Sequence, residues 1–298
     1  MGWTQSHRLT GQVREHAWKL CAAALLGVLA LPSASEEPGQ AGEPWPADPA
    51  AARLLAKTLA NLYAGDFVQV LELTSRNRAG RAMTRRLQAV RKESTPPGRA
   101  VVRFLSPPEV RGTAMLVIEQ AGRSDDVFLY LPAFGHTRRI SSAQRYDSFF
   151  GTNLTYEDLE PKRANDFEAV LEGRSEVEGV SCLLLRIRAR PGIASQYDFT
   201  RSCVDPERAV ALWTEYTVAG RVVKRMTADP RRVKRHAGHF IPELAQLTST
   251  ATEFVTEITT ESHQPQREIP DRLFTTWNLE SGSGAGDLKL LRAAGAPR

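Results

Sequence analysis

Between Phe67 and Thr260 apolar and polar residues alternate with a period of two, in short runs broken by glycine, proline and small polar residues. Successive side chains of a strand point to opposite faces, so this pattern predicts strand after strand. The first group reads FVQVLELTS, GRAMTRRLQAV, RAVVRFLSP, TAMLVIEQ, DVFLYLP and HTRRISS. The second reads DFEAVLEG, VSCLLLRIRA, QYDFTRSCV, VALWTEYTV, RVVKRMTA, HFIPELAQLTS and ATEFVTEITT. Ahead of them one stretch follows the helical period. Asp48-Pro49 supplies a cap and a proline at the first helical position, and AARLLAKTLANLY then sets Ala52, Leu55, Ala56, Leu59, Leu62 and Tyr63 on one stripe, closed by Gly65.

VALWTEYTV and RVVKRMTA meet at Ala219-Gly220, a two-residue hairpin connection whose register sets Glu215 opposite Lys224 and Tyr216 opposite Val223. Repeated hairpins without long helices between them predict a mainly β protein, one large curved antiparallel sheet with an N-terminal amphipathic helix. That helix is small beside so many strands, and several strands are apolar on both faces. DVFLYLP puts Phe128 and Tyr130 on one side and Val127, Leu129 and Leu131 on the other; TAMLVIEQ separates Met115 and Val117 from Leu116 and Ile118. Two accounts fit: an ordinary core under helix and loops, or a concave sheet left partly unfilled as an apolar ligand cavity.

The first residues change the compartment. MGWTQSHRLTGQVREHAWK carries Arg8, Arg14 and Lys19 against Glu15, LCAAALLGVLAL follows, and PSASEE offers small residues for cleavage. A basic start, an apolar run and a small-residue exit describe a cleavable signal peptide over 1–35, and the run is shorter than the roughly 20 residues of a spanning helix. Cys21 stands at the start of the run, not its exit, which argues against lipid attachment there. EEPGQAGEPWPA (36–47) reads as a flexible lead-in, residues 48–280 as one β domain, and the Gly/Ser/Ala-rich 281–298 as a mobile tail.

Without the leader 36 Lys and Arg face 33 Asp and Glu, a net charge of +3 spread over many segments. A nucleic-acid partner calls for a concentrated basic patch, so none is expected. The densest run, RRVKR (231–235), reads as a solvated turn. Cys182 and Cys203 flank a Pro191-Gly192 turn signal; a hairpin centred near Gly192 and Ile193 would set them opposite each other, and an exported chain permits the disulfide. Two separately buried thiols are the alternative.

Signals for catalysis are weak. There is no Gly-x-Ser-x-Gly elbow and no HExxH pair. His236 and His239 sit in a basic turn with no third ligand nearby in sequence, and Asp125-Asp126 read as turn chemistry. Neither a metal, another cofactor nor an enzymatic activity is expected.

One stretch stands out: YLPAFGHTRRISSAQRYDSFFGTNLTYEDLE (130–160) sets Arg138, Arg139 and Arg145 among Tyr146, Phe149, Phe150 and Tyr156. Arginine's planar fork suits carboxylate and phosphate and stacks on aromatic faces. Arg138 and Arg145 could grip an acidic head group while Phe149 and Phe150 meet apolar chains. Alternatively Arg145 or Arg139 pairs with Asp147, Glu157 or Asp158 and pins a short helical turn capped by Asn153 or Thr155. Gly151 supplies a sharp turn.

RFLSPPEVRGTAMLVIE, this central stretch, EYTVAGRVVKRM and the closing IPDRLFTTWNLE together resemble the LolA-like family of outer-membrane lipoprotein-sorting proteins, in the branch with a YLPA…RRI…SFFGT…YEDL signature. The resemblance spans about Asp48 to Leu279. It implies a periplasmic, monomeric protein made of an unclosed β half-barrel with short lid helices, whose apolar hollow receives acyl chains of a lipid or lipoprotein through transient membrane contact. It also implies an association with resistance-nodulation-division (RND) transporters, and a sensor or accessory protein docking to such a partner is the alternative function. Candidates for the hollow or its mouth are Phe104, Leu116, Ile118, Phe128, Tyr130, Arg138, Arg145, Phe149, Phe150 and Trp213. Pro132, Arg139, Gly151, Tyr156 and Asp158 complete the branch signature.

Overall fold

The computed structural model describes residues 45–236, 238–266 and 268–281. The expected leader, most of the lead-in and the tail beyond Ser281 lie outside the described residues. Helix α1 (Pro49–Tyr63) is followed by β1 (Phe67–Arg76), β2 (Ala82–Lys92), β3 (Arg99–Ser106), β4 (Ala114–Ile118), β5 (Asp126–Leu131) and β6 (His136–Arg139). A segment over 140–166, holding the one-turn helix α2 (Tyr156–Leu159), leads to β7 (Phe167–Val177), β8 (Val180–Ala189), β9 (Phe199–Asp205), β10 (Val210–Val218) and β11 (Arg221–Ala228). The short ribbon β12 (Val233–His236) and β13 (His239–Pro242) precedes β14 (Leu244–Ser249), β15 (Val255–Pro265) and a last helix, α3 (Thr276–Ser281).

Thirteen strands make one antiparallel sheet in the order β6-β5-β4-β3-β2-β1-β15-β14-β11-β10-β9-β8-β7. The chain meanders outward to one edge, crosses along 140–166 to the other edge, and meanders back until β14 and β15 fill the gap beside β1. Edge strands β6 and β7 are not joined, so the sheet is not closed into a barrel.

Local departures from the expected pattern decide what faces inward. Asp48 caps α1, its Oδ1 accepting from the amides of Ala50 and Ala51 at 3.1 and 2.9 Å, while its Oδ2 accepts from Leu171 N at 2.9 Å. The buried stripe is Ala51, Leu54, Leu55 and Thr58, Ala52 and Ala56 turn outward, and Leu62 is partly exposed. Thr58 can lie inside because its hydroxyl donates to Leu54 O at 2.9 Å. At the β10–β11 hairpin the two-residue connection is as expected, with Val218 opposite Arg221, but a bulge beyond Thr217 shifts the rest by one. Glu215 therefore faces Arg225 and Tyr216 faces Lys224, and Lys224 is buried rather than placed on a charged outer face. Between β8 and β9 the register is two residues off the expected one: Leu184, not Cys182, lies opposite Cys203. The connection is a loop, not a tight turn at Gly192. Cys182 and Cys203 are bonded on the diagonal, with Cα atoms 5.4 Å apart. The run RRVKR is a short 3-10 turn leading into β12, which pairs with β13.

Both faces of the β3–β5 region are covered. Met115, Val117, Val127 and Leu129 pack with Leu73, Phe104, Phe149, Leu154 and Tyr156 under the crossing segment. On the opposite face Leu116, with Ile118, Phe128 and Tyr130 against it, packs with Ile269, Leu273, Phe274 and Leu279 from the C-terminal segment. The double-sided apolar strands at this end are ordinary core.

Candidate functional site

The unfilled space lies at the other end of the concave face. A cavity of about 420 Å³ opens between the sheet, α1 and the crossing segment. Its floor is the inward side of β1, β2, β8, β9, β10 and β15, through Leu71, Leu73, Leu87, Ala89, Leu185, Ile187, Val204, Ala211 and Ile258. Leu55, Leu59 and Leu62 of α1, Leu159 of α2 and Phe240 and Ile241 of β13 roof it. The sheet's curvature produces the hollow: a single helix is too narrow to fill the concave side of so many strands. Small ligands typically occupy pockets of about 300–1,000 Å³, mostly apolar, with a few placed polar groups.

The roof is tied down by polar contacts. Asn61, which breaks the apolar stripe of α1, donates from Nδ2 to the carbonyls of Arg208 and Ala209 at 2.7 and 2.9 Å and accepts from Phe240 N at 3.2 Å. One residue thus fastens the helix to the β9–β10 turn and to the β12–β13 ribbon. At the end of α1 the buried guanidinium of Arg91 donates to Tyr63 O and pairs with Glu119. Both residues carried a sequence signal, a polar group on an otherwise apolar face.

One wall carries Asp158, which pairs behind the lining with Lys224; their side chains are only 6% and 7% exposed. Asp158 also accepts from Thr155 N at 2.7 Å, Thr155 Oγ1 at 3.0 Å and Tyr197 Oη at 2.8 Å. The ammonium lies 5.1 and 5.0 Å from the ring centres of Tyr197 and Tyr216. Burial, with the Asp158 charge adding to it, pushes both tyrosine hydroxyls far above their ordinary value. Tyr63, also on the wall, is raised to about 12, again chiefly by burial. At neutral pH these phenols are protonated, and that of Tyr197 donates to Asp158. Glu157 is buried and accepts from Ser195 Oγ at 2.6 Å and Gln196 N at 3.1 Å. Sequence reading missed Lys224, Tyr197 and Tyr216, since the bulge that turns Lys224 inward has no marker in the residues themselves.

The expected site residues divide among several places. Phe104, Phe149, Phe150 and Tyr156 form an aromatic cluster, with Phe104–Phe149 stacked at 5.2 Å and Phe149–Phe150 and Phe149–Tyr156 edge-on at 5.1 and 5.6 Å. This cluster plugs one end of the concave face and does not line the cavity. Phe150 and Gly151 both have positive φ, +48° and +72°, where the chain turns sharply to set Phe149 inward. Leu116, Ile118, Phe128 and Tyr130 lie on the opposite face, because the register of β4 and β5 sends them there. Trp213 packs beside the disulfide with the Arg225 guanidinium 4.9 Å over its ring. Pro132 is exposed in the β5–β6 turn.

The arginines are mostly committed. Arg145 is buried and held by both oxygens of Glu160, with Nε donating at 2.8 Å, and Arg139 pairs with Asp126. The partners expected from sequence, Asp147, Glu157 and Asp158, serve neither, because folding brings Glu160 and Asp126 closer. Arg138 is exposed and donates to Gln144 Oε1 at 3.2 Å. Of the two expected caps, Thr155 precedes α2 in a capping box with Asp158, whereas Asn153 donates to Leu247 O and Phe254 O and ties the segment to the β14–β15 turn. Of Pro132, Arg139, Gly151, Tyr156 and Asp158, it is Asp158 that lines the cavity, with Glu157 and Leu159 of the same YEDL turn beside it.

An unclosed antiparallel sheet with a helix fastened over an apolar hollow defines the class: a half-barrel with a roofed cavity. A family model described only as an uncharacterized protein matches residues 97–281, and the chain belongs to that family. The crystal structure of a DUF1329 family protein from Desulfovibrio piger is 22% identical, with a TM-score of 0.69, and the match covers 76% of this chain and 97% of that one. A structure described as an outer membrane lipoprotein-sorting protein domain from Vibrio parahaemolyticus is 22% identical, with a TM-score of 0.70, covering 77% and 98%. A LolA superfamily protein from Nitrosomonas europaea is 16% identical, with a TM-score of 0.61, covering 76% and 99%. At these identities the likeness is one of fold. No curated protein matches the chain.

Proposed function

We propose that this protein is a periplasmic, non-enzymatic carrier, in which the β domain over residues 48–280 takes acyl chains of a lipid or lipoprotein into the cavity and hands them between membranes. The observation that carries the reading is the roofed hollow of about 420 Å³ with predominantly aliphatic walls. Each buried methylene would contribute about 0.8 kcal/mol, so affinity can come from area without a nucleophile or a metal. The names of the Vibrio and Nitrosomonas neighbours support the same direction.

The test is lipid extraction from protein purified natively from its host, followed by mass spectrometry. Acyl lipid is expected at near-stoichiometric levels from the wild type and is lost in Ala89→Trp, which fills the cavity from the middle of β2. An empty wild type, or an Ala89→Trp protein that is folded by circular dichroism and still loaded, would sink the proposal.

A second reading is that of an accessory protein docking to a membrane transporter. It draws on Phe134 and Trp277, 66% and 67% exposed in the β5–β6 turn and α3. A partner crosslinked near Trp277 whose capture is unaffected by Ala89→Trp would favour it.

A further inference from the structure

Strand β2 sends Arg85, Leu87, Ala89 and Arg91 to the concave face, two of them arginines. Arg91 is paired, as described above. Arg85 is not: it is 8% exposed, and its Nε and Nη1 are buried without a hydrogen-bond partner. Among the described residues no carboxylate forms an ion pair with it. Burial lowers its proton affinity, and no neighbouring negative charge offsets that effect. Arginine nonetheless stays charged, because its ordinary pKa is so high. A buried cation without a counter-ion is rare, since removing charge from water is costly unless it is paired.

Its position relates it to the cavity. Arg85 lies directly opposite Leu73 on β1 and two residues from Leu87 on its own strand, and Leu73 and Leu87 both line the hollow. Directly opposed side chains on one face of a sheet are neighbours. Gly151 of the crossing segment lies over it: a Cβ there would stand 3.8 Å from Arg85 Nη2 and 3.1 Å from Met83 Cε. Next along β1 the buried hydroxyl of Ser75 bonds at 2.9 Å to that of Thr256 across from it on β15, which leaves one hydroxyl proton of the pair free to donate elsewhere. Just beyond the Leu73 and Leu87 end of the aliphatic cavity, outside its lining, thus stands a buried guanidinium without a carboxylate partner. That is the polarity of an amphiphile turned inside out.

Resting on the carrier reading, we propose that Arg85 is the counter-ion for the acidic head, a carboxylate or a phosphate, of the amphiphile whose chain occupies the cavity. The guanidinium fork matches either oxyanion with two parallel N–H···O bonds. The protein would then select acidic over neutral lipids of equal chain length. An unpaired Arg85 would also disfavour the empty state, so the guest stabilises its carrier.

Calorimetric titration of delipidated full-length protein with palmitate and with hexadecanol, which share a chain and differ in head charge, tests this at about pH 8, where a carboxylic acid is ionised. Palmitate is expected to bind about 10–100-fold more tightly than hexadecanol, the worth of one to two charge-assisted hydrogen bonds. Arg85→Gln should abolish the preference and leave hexadecanol binding unchanged. Equal binding of the two by the wild type, or a preference that survives Arg85→Gln, overturns the assignment while leaving the carrier reading intact. If neither ligand binds, both fall together. Inorganic phosphate that competes with palmitate in the wild type but not in Arg85→Gln supports the same anion site. Phosphate binding without any palmitate preference would identify a free anion as occupant and overturn the amphiphile. Delipidated Arg85→Met should unfold at a higher temperature than delipidated wild type; a lower midpoint would mean that the guanidinium has its partner within the fold, and the proposal would fail.

Discussion

The pair formed by Lys224 and Asp158 offers the sharpest test of how the cavity wall is held. Both side chains are almost fully buried, and Asp158 collects three further donors, Thr155 N, Thr155 Oγ1 and Tyr197 Oη. The two singles should therefore differ. Asp158→Asn leaves a buried ammonium facing neutral groups and two tyrosine rings, and breaking such a pair costs about 3–5 kcal/mol. Contact with the two rings keeps part of the ammonium's stabilisation, which places the expected loss near the lower end, about 3 kcal/mol. Lys224→Met keeps the aliphatic stem and leaves a carboxylate that still accepts three hydrogen bonds, so it should cost less, about 2 kcal/mol. The double variant removes both charges and should lie within about 1 kcal/mol of wild type, since a neutral pair of similar volume often replaces a buried ion pair without loss. The coupling energy is then about 4 kcal/mol, measured by urea unfolding at neutral pH with the disulfide intact. Singles that each cost under about 1 kcal/mol and simply add would mean a hydrated, surface-like pair. Such a result would refute the description of this wall as dry and well packed.

Two further predictions concern stability. The buried His263, its ring centre 4.6 Å from that of Phe67 and tilted to it, is held down to about 4 by burial and by His236 and His239. The folded protein thus rejects a proton that the unfolded chain takes up below the ordinary value of 6.5. Its contribution is whole above that value and is lost as pH falls toward 4, up to roughly 3 kcal/mol; His263→Phe should flatten this slope in unfolding titrations, and an unchanged slope would count against the assignment. Reduction of Cys182–Cys203, which are 21 residues apart, should lower stability by about 3 kcal/mol, read as a shift of the urea midpoint that Cys182→Ala with Cys203→Ala reproduces.

What the sequence determined by itself is most of the elements, although HFIPELAQLTS, read as one strand, divides into β13 and β14, and RRVKR, read as a turn, holds the start of β12. Period-two alternation marks the strands because each must send one side inward, and Asp48-Pro49 marks the start of α1 because a cap and a fixed φ are local properties. The Ala219-Gly220 connection was legible for the same reason. The aromatic and arginine residues of 130–160 announced an unusual segment, and the long signature within it pointed to a LolA-like fold. Which side of each strand faces the hollow depends on pairing between distant residues. A single bulge between Tyr216 and Thr217 moves Lys224 from the outer face to the inner one, and a two-residue slip changes which residues stand opposite the cysteines. The apolar residues of β4 and β5 look like cavity lining in one dimension, yet the crossing segment and the C-terminal segment bury both of their faces. The hollow opens instead where α1 cannot span the curved sheet. Curvature, register and the path of the crossing segment are properties of the assembled sheet, and only the tertiary structure could decide which alternating residues meet a guest and which meet each other.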